Sequence, residues 1–584
     1  MKIKYLALAV TLAIGVSNAA LADTASSIRG NVVTQEGQIA PNARVDILHV
    51  PSNTRSVTTS NESGSFVSSG LRVGGPYIIT ITSAEGTRVY DNIFLSLGET
   101  FRLNAQLEPE VAAGVERIAV TGSALSLLNA GKMGTSTTFN ASQINSMPLF
   151  DRDLKDVVRQ DPLVVVLGDA TSSMSVAGAN PRYNSLTVDG VRQDDDFGLN
   201  DNGYPTQRSP IPLSALDQIT VSTAPFNVKS GGFTGAGINA VTKSGTNELK
   251  GSFFYEYMDQ SLSGKSGAPG RDKVELLDFN RKVWGASLGG ALVEDKLFFF
   301  LAYEDLVEPY NTLWGAAGSS APNAASVTQS DIDEVARIAR EVYGVEAGQW
   351  NIADDLEDKK LLAKLDWNIN DDHRASFTYQ KTESNAINTG AGSRATQIAL
   401  DTNFYNNQQD LEAFAGHLYS VWNDSFSTEV KVAWKEVEVG QNPLRGNTYG
   451  QVQVDTPSGR VVFGPDTFRH ANELTNDLFQ LRLAGEYLLE DHTISFGWEH
   501  EKLDVYNLFV SNSKGTWQFH NTVVDGVVTV SGLDRFLQQT SSGFSYQNAY
   551  TLNPVDAAAA FKFGTDAFYL QDSWDLFDYD LTLD

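Results

Sequence analysis

From Lys250 onward, apolar and polar residues alternate with a period of two, and the alternating segments are joined by loops that are short and long in strict turn. In KLLAKLDWNI, Leu361, Ala363, Leu365, Trp367 and Ile369 share one face of an extended chain. Lys360, Leu362, Lys364, Asp366 and Asn368 share the other. After Asn370-Asp371-Asp372, the segment RASFTYQ sets Ala375, Phe377 and Tyr379 against Arg374, Ser376, Thr378 and Gln380. Later, Phe479, Leu481, Leu483, Tyr487 and Leu489 alternate with Gln480, Arg482 and Glu486, and a turn at Glu490-Asp491 leads to Ile494, Phe496 and Trp498. Tight connections recur near 292–296, 370–372, 423–426, 490–491 and 575–579. Long polar segments lie near 259–279, 305–358, 384–410, 440–476 and 506–565. Every second turn therefore sits on the same side of the sheet. A soluble propeller or sandwich array accounts for the alternation but not for long loops confined to one side. Apolar-out, polar-in strands of about ten residues with terminal aromatics are expected of an outer-membrane barrel. Hydrocarbon offers the backbone no partners, so only a closed sheet can satisfy it there. Trp367, Tyr379, Trp422, Trp434, Trp498 and Trp574 read as interfacial anchors.

The N-terminus agrees with export. MKIKYLALAVTLAIGVSNAALAD carries Lys2 and Lys4, an apolar core from Leu6 to Val16, and Ala20-Leu21-Ala22 before Asp23. This is the pattern of a secretory signal cleaved after Ala22. Its apolar run is short of the ~20 residues that a spanning helix needs. The chain has no cysteine, which excludes disulfides, thiol nucleophiles and Cys-based zinc sites. A formal charge of −28 disfavours nucleic acid and anionic lipid surfaces as partners.

Residues 27–107 read as short alternating strands (IRGNVV, RVDILHV, RSVTTS, GSFVSS, YIITIT, FRLNAQL) divided by turn-forming clusters, the pattern of a sandwich. The segments G-N-V-V…A-R-V-D-I, S-N-E-S-G-S-F and G-L-R-V-G-G-P-Y-I-I-T-I resemble the carboxypeptidase-regulatory-like (Cna-B-like) domain. Phe66, Leu71 and Tyr77 would be its core landmarks. No catalytic set accompanies it.

Between 127 and 245 the pattern becomes mixed α/β, with a short helix in PLFDRDLKDVVRQDP and a strand–turn–strand in YNSLTVDGV around Asp189-Gly190. S-L-T-V-D-G-V-R resembles the "IDGV" segment of a TonB-dependent receptor plug. L-D-Q-I-T-V…G-G-F-T-G-A-G-I-N-A-V-T-K-S-G-T-N resembles the close of that plug, placing Gly231, Gly232, Gly237 and Asn239 in its motif beside Asp189 and Gly190. With the leading sandwich, the chain resembles the Oar-like subgroup of these receptors.

The resemblance gives meaning to VERIAVTGS, a short apolar stretch at 115–123 with no evident partner in the chain. In this family a TonB box lies ahead of the plug and pairs as an added strand with the energy transducer. Ile118, Ala119, Val120 and Thr121 are its expected core. The alternative is an edge strand of the sandwich or the plug. Partners implied are outer-membrane lipid, TonB with ExbB–ExbD, the barrel-assembly machinery and an unidentified extracellular substrate.

The expected fold class is thus mainly β and exported, in five parts: signal peptide 1–22, sandwich 23–108, linker with the TonB-box-like segment 109–126, α/β plug 127–245 and partial transmembrane barrel 246–584. Roughly eleven strands can be counted from Lys250, against the about twenty-two that the resemblance implies. The expectation is therefore a fragment of about half a barrel. Asp194-Asp195-Asp196 is a candidate ligand or cation loop, since hard cations favour clustered oxygens. The seven histidines show no ligand spacing, so no metal and no cofactor is expected. DIDEVARIAREVY at 331–343 reads as an amphipathic helix in a long loop. No nucleophile–base set stands out, and the resemblance implies energy-driven uptake across the Gram-negative outer membrane, with a periplasmic sandwich. The alternative is a structural, adhesion or secretion-linked barrel without active uptake.

Overall fold

The computed structural model describes residues 23–108, 117–119, 130–131, 134–149, 151–167, 172–200, 202–262, 279–310, 312–352, 354–576 and 581–583. The signal sequence and, from the TonB-box-like segment, Val120 and Thr121 lie outside the described residues.

The sandwich forms because residues of alternate parity on its strands are apolar and meet from two sheets. One sheet runs β3 (Thr54–Thr59), β2 (Arg44–His49), β5 (Gly74–Ser83), β6 (Gly86–Leu95) and β9 (Arg117–Ala119). The other contains β4 (Ser65–Leu71), β1 (Ser26–Val33), β7 (Thr100–Arg102) and β10 (Ala130–Gly131), with β8 (Ala105–Gln106) also on β1. Val45, Ile47, Ile79 and Ile81 close on Ile28, Val32 and Phe66 in the shared core. Tyr77 is buried there too, and its hydroxyl donates to the Arg72 carbonyl at 2.7 Å, which satisfies its polar tip. Phe66 and Leu71 are likewise buried.

The stretch that looked unpartnered has a partner. Arg117, Ile118 and Ala119 pair in parallel with Val89, Tyr90 and Asp91 of β6. Edge pairing is made by backbone groups alone, so it leaves no side-chain signature to read in advance.

The next unit is a five-stranded mixed sheet in the order β11 (Gly134–Asn140), β16 (Leu216–Pro225), β17 (Gly237–Thr242), β14 (Ser185–Val188) and β15 (Val191–Arg192). A separate hairpin joins β12 (Val164–Val166) and β13 (Met174–Val176). Two short helices flank the sheet. In α1 (Ala141–Ser146), Asn140 and Gln143 form a reciprocal cap; in α2 (Leu154–Val158), Asp153 accepts from the Lys155 amide. Ile144, Leu154, Val157, Ile219 and Ile238 share a core that reaches Phe300, Ala302 and Leu362 of the large sheet.

That large sheet is an eleven-stranded antiparallel meander in which each strand pairs with its neighbour in sequence. Its strands are β18 (Lys250–Asp259), β19 (Asn280–Val293), β20 (Leu297–Pro309), β21 (Asp355–Asn368), β22 (His373–Asn388), β23 (Tyr405–Asn423), β24 (Phe426–Pro443), β25 (Asn472–Leu489), β26 (His492–Phe509), β27 (Ala559–Leu576) and β28 (Leu581–Leu583). Among the described residues β18 and β28 do not pair with one another. Along β21 the period-two expectation is met residue by residue: Leu361, Leu365 and Trp367 are exposed, whereas Lys360, Leu362, Lys364 and Asp366 are buried. Polar side chains point inward and meet the plug from β19 round to β27, so the sheet wraps it. No helix among the described residues is long and apolar enough to cross a membrane.

At the long-loop end, four loops build a body of their own. Strands Gln397–Ala399, Arg460–Phe463, Gln451–Asp455, Thr516–Phe519 and Gly543–Ser545 form one sheet. The helix Gln329–Ile338, which starts two residues before the segment expected to be amphipathic, packs Ile332, Val335 and Ile338 into a core with Ile398, Val454 and Phe519. The opposite, short-turn end carries the sandwich.

Candidate functional site: the interface of plug and barrel

The centre of the interface is the tight turn between β14 and β15. Asp189 and Gly190 have φ of 42° and 72°, the left-handed pair that a two-residue hairpin needs and that Asp-Gly adopts readily. The turn presents its carboxylate and two carbonyls to the barrel wall. The carboxylate accepts from the Thr242 amide at 2.9 Å, the Thr242 hydroxyl at 2.6 Å and the Thr378 hydroxyl at 2.9 Å, with Lys364 Nζ at 3.5 Å. Burial alone would raise this carboxyl, but Lys364 and the three hydrogen bonds outweigh it and hold Asp189 below the ordinary carboxylate range. The imidazole of His417 donates Nε2–H to the Asp189 carbonyl at 3.1 Å, and Lys431 donates to the Gly190 carbonyl. One plug turn is thereby tied to β21, β22, β23 and β24.

The acidic run beyond β15 is engaged as well. Asp194 accepts from the Leu186 amide at 2.6 Å and the Ser185 hydroxyl at 2.9 Å. Asp195 accepts from the amides of Asn200 at 2.6 Å and Phe197 at 3.2 Å, closing its own loop. Asp196 pairs with Arg192 and, at 3.0 Å, with Lys435 of β24. Burial pushes Asp194 and Asp195 up; at Asp196, Lys435 and Arg192 outweigh burial and hold the carboxyl down. An external cation here would have to displace the protein's own donors. Among the described residues no group of three His, Asp or Glu side chains is arranged to hold a metal.

The remaining motif residues lie between β16 and the end of β17. Gly231 and Gly232 are in the connecting loop, and Gly237 opens β17. Asn239 accepts from the Thr187 hydroxyl at 2.9 Å and donates to the Asp23 carbonyl at 2.6 Å, joining plug sheet to the start of the sandwich. Ile118 and Ala119 lie away from this interface, on the sandwich edge.

Barrel-side partners were the part that sequence reading missed. Lys364, Gln480 and Arg482 are on the polar strand face, as expected, but each also has a partner in the plug or the start of the sandwich more than a hundred positions away. Arg192 meets Glu501 at 2.8 Å, Gln193 meets Gln380 at 2.6 Å, and Arg482 meets Asp23 at 3.0 Å. The signal was present as charged residues recurring on one face of a membrane strand, such as Asp358, Lys360, Lys364 and Asp366. Such residues are placed inward at a cost unless something polar receives them.

A plug-filled, polar-lined membrane sheet defines a class, and the comparisons agree with it. Family models match in three parts: a carboxypeptidase regulatory-like domain at 27–108, a TonB-dependent receptor plug domain at 131–238, and an outer membrane beta barrel domain at 241–330 and 320–584. The chain belongs to the outer-membrane β-barrel proteins of Gram-negative bacteria, and it carries a TonB-dependent receptor plug domain ahead of its barrel strands. The TonB-dependent transporter Oar of Myxococcus xanthus is 24% identical over 226 residues, which are 37% of this chain and 20% of that protein. The outer membrane transporter YddB from Escherichia coli superimposes with a TM-score of 0.52 at 13% identity, over 75% of this chain and 54% of that one. The chain thus spans about half the length of that solved transporter, and at this identity the likeness is one of fold.

Proposed function

We propose that this chain carries the plug and energy-coupling parts of a TonB-dependent importer for a substrate still to be identified. Substrate would bind on the long-loop side, and a pull transmitted through residues 116–123 would displace the plug. The chain itself would make and break no covalent bond. The observation that carries this reading is the plug turn at Asp189-Gly190, buried inside the sheet yet held by side chains of four successive strands. Such a contact set is strong while intact and can be exchanged for water when the turn moves. TonB, energised by ExbB–ExbD, would take residues 118–121 as an added strand, where backbone hydrogen bonds give affinity with little demand on side chains.

The test exploits the cysteine-free sequence. Ala119→Cys in the full-length receptor should crosslink to a cysteine in TonB's periplasmic domain in energised cells. Absence of that adduct would overturn the coupling mechanism. Deleting 116–123 should abolish energy-dependent uptake; a defect confined to attachment or secretion would instead favour a structural barrel.

A further inference from the structure

We propose that the N-terminal sandwich is a second gate, docked across the short-turn mouth of the barrel and in series with the plug. This rests on the transport reading for its purpose, but its geometry stands independently. Contacts from the sandwich run along almost the whole described rim. Near one end, the Asn247 amide donates to the Pro51 carbonyl at 3.1 Å, and Arg72 reaches Asn368 at 3.0 Å and Asp366 at 3.4 Å. In the middle, Arg374 donates to the Gly70 carbonyl at 2.8 Å, and Ser69 donates to Glu486. At the far end, Asn61 donates to the Glu490 carbonyl at 2.9 Å, the Ser65 hydroxyl to Asp491 at 2.8 Å, and Arg29 meets Asp575 at 3.3 Å.

The fit is close at the centre. Gly70 has φ of 73°, and a Cβ there would lie 2.9 Å from the Cβ of Tyr419, so both the backbone conformation and the packing call for glycine. Behind the sandwich lies a half-open cavity of about 890 Å3, lined by all three units: His49 and Arg72 of the sandwich, Asp189 and Asp217 of the plug, and Lys364 and Asp366 of the barrel. Burial pushes the Asp217 carboxyl up to about 6. A solute leaving past a displaced plug would enter this cavity and meet the sandwich.

The dock is built to part. The buried apolar cluster of the sandwich contains sandwich residues only, so it is complete without the barrel. What joins it to the rest is mainly hydrogen bonds and ion pairs, the composition of a separable domain interface, with Gly70 packed on Tyr419 and one small apolar contact of Val73 and Leu97 on Val241 of the plug. The chain path supplies a release. After the sandwich it is pinned to β6 at 117–119, then to β7 at 130–131, before it enters the plug at β11. A pull between these two pins loads both sandwich sheets before it reaches the plug.

Two latches test the gate in the full-length receptor purified from outer membranes: Ser65→Cys with Asp491→Cys, and separately Asn61→Cys with Glu490→Cys. Each is set in planar bilayers, with potassium chloride as the permeant probe and urea sufficient to release the plug. Oxidised latches should remove the conductance steps seen in the single-cysteine controls, and reductant should restore them. Oxidised latches that conduct like their controls would overturn the gate. Neither TonB nor substrate is present, so a latched pore that stays shut upholds the gate even if Ala119→Cys forms no adduct. A latched pore that conducts leaves the coupling reading untouched.

Discussion

At the scale of single residues, Asp189 shows how a buried charge is made tolerable and why that makes it useful. Its carboxylate has a cation and three hydrogen-bond donors around it, so the desolvation penalty is met by partners that the plug and the barrel supply jointly. Asp189→Asn keeps the shape but takes the charge from Lys364 and turns one acceptor into a donor. The expected loss is about 3–5 kcal/mol at neutral pH, the usual result of breaking a buried pair from one side. The sign with pH follows from the depressed carboxyl. Because the folded state holds it below its unfolded value, its contribution is complete above the ordinary carboxylate range and disappears as the pH falls through that range toward the lower folded value. Urea midpoints of wild type and Asp189→Asn should therefore converge on acidification. A constant gap from pH 7 to pH 3 would mean that the residue acts through shape alone.

At the scale of the element, β21 tests whether the exposed face is a lipid face. Ala363 is four positions from Trp367 on the outward side, so it lies deeper than the aromatic anchor. Ala363→Arg should cost about 2–4 kcal/mol and Trp367→Arg about 0–1 kcal/mol, because the penalty for a charge falls from midplane to interface. Refolding titrations into lipid vesicles would measure both, and equal costs would remove the bilayer from the explanation. The strands were legible for the same physical reason. A membrane sheet has two chemically opposed faces, so Lys360 and Leu361 declare their sides within the local sequence. The loops have no such solvent. Val327, Ile398, Val461 and Phe519 form one core but come from four separate loops, and the strands that carry Ile398, Val461 and Phe519 are three or four residues long, too short to show a period. The pairing of 117–119 with β6 is the edge-strand alternative that the sequence left open, and the choice could not be read because backbone edges carry no residue code. The partners of Asp194–Asp196 were hidden because Lys435 is brought to them only by the wrapping of the sheet.

For the whole molecule, the two ways in which parts are joined set the order in which they come apart. Neighbouring membrane strands are bonded along long registers, such as 426–440 against 473–487 without a break, inside a solvent that cannot replace those bonds. Plug and barrel instead meet through two apolar patches, at Phe300, Ala302 and Leu362 and around Val191, and between them through polar pairs: Arg192 with Glu501 at 2.8 Å, Asp196 with Lys435 at 3.0 Å, Gln193 with Gln380 at 2.6 Å. Water can replace these at a net cost of roughly 0.5–1.5 kcal/mol for a neutral hydrogen bond and about 1.5–3 kcal/mol for one to a charged group. Urea should accordingly free the plug well before it disturbs the sheet. The sequence makes the two events separable by observation, since all nine tryptophans lie beyond residue 250 and none is in the plug. Tryptophan fluorescence then follows barrel and loops, while hydrogen exchange over 134–242 follows the plug. Lys435→Met, which leaves Asp196 to Arg192 alone, should move the exchange transition to lower urea and leave the fluorescence transition in place. A single transition in both signals, shifted together by Lys435→Met, would mean that plug and barrel fold as one body, and a plug that cannot move separately cannot open a path.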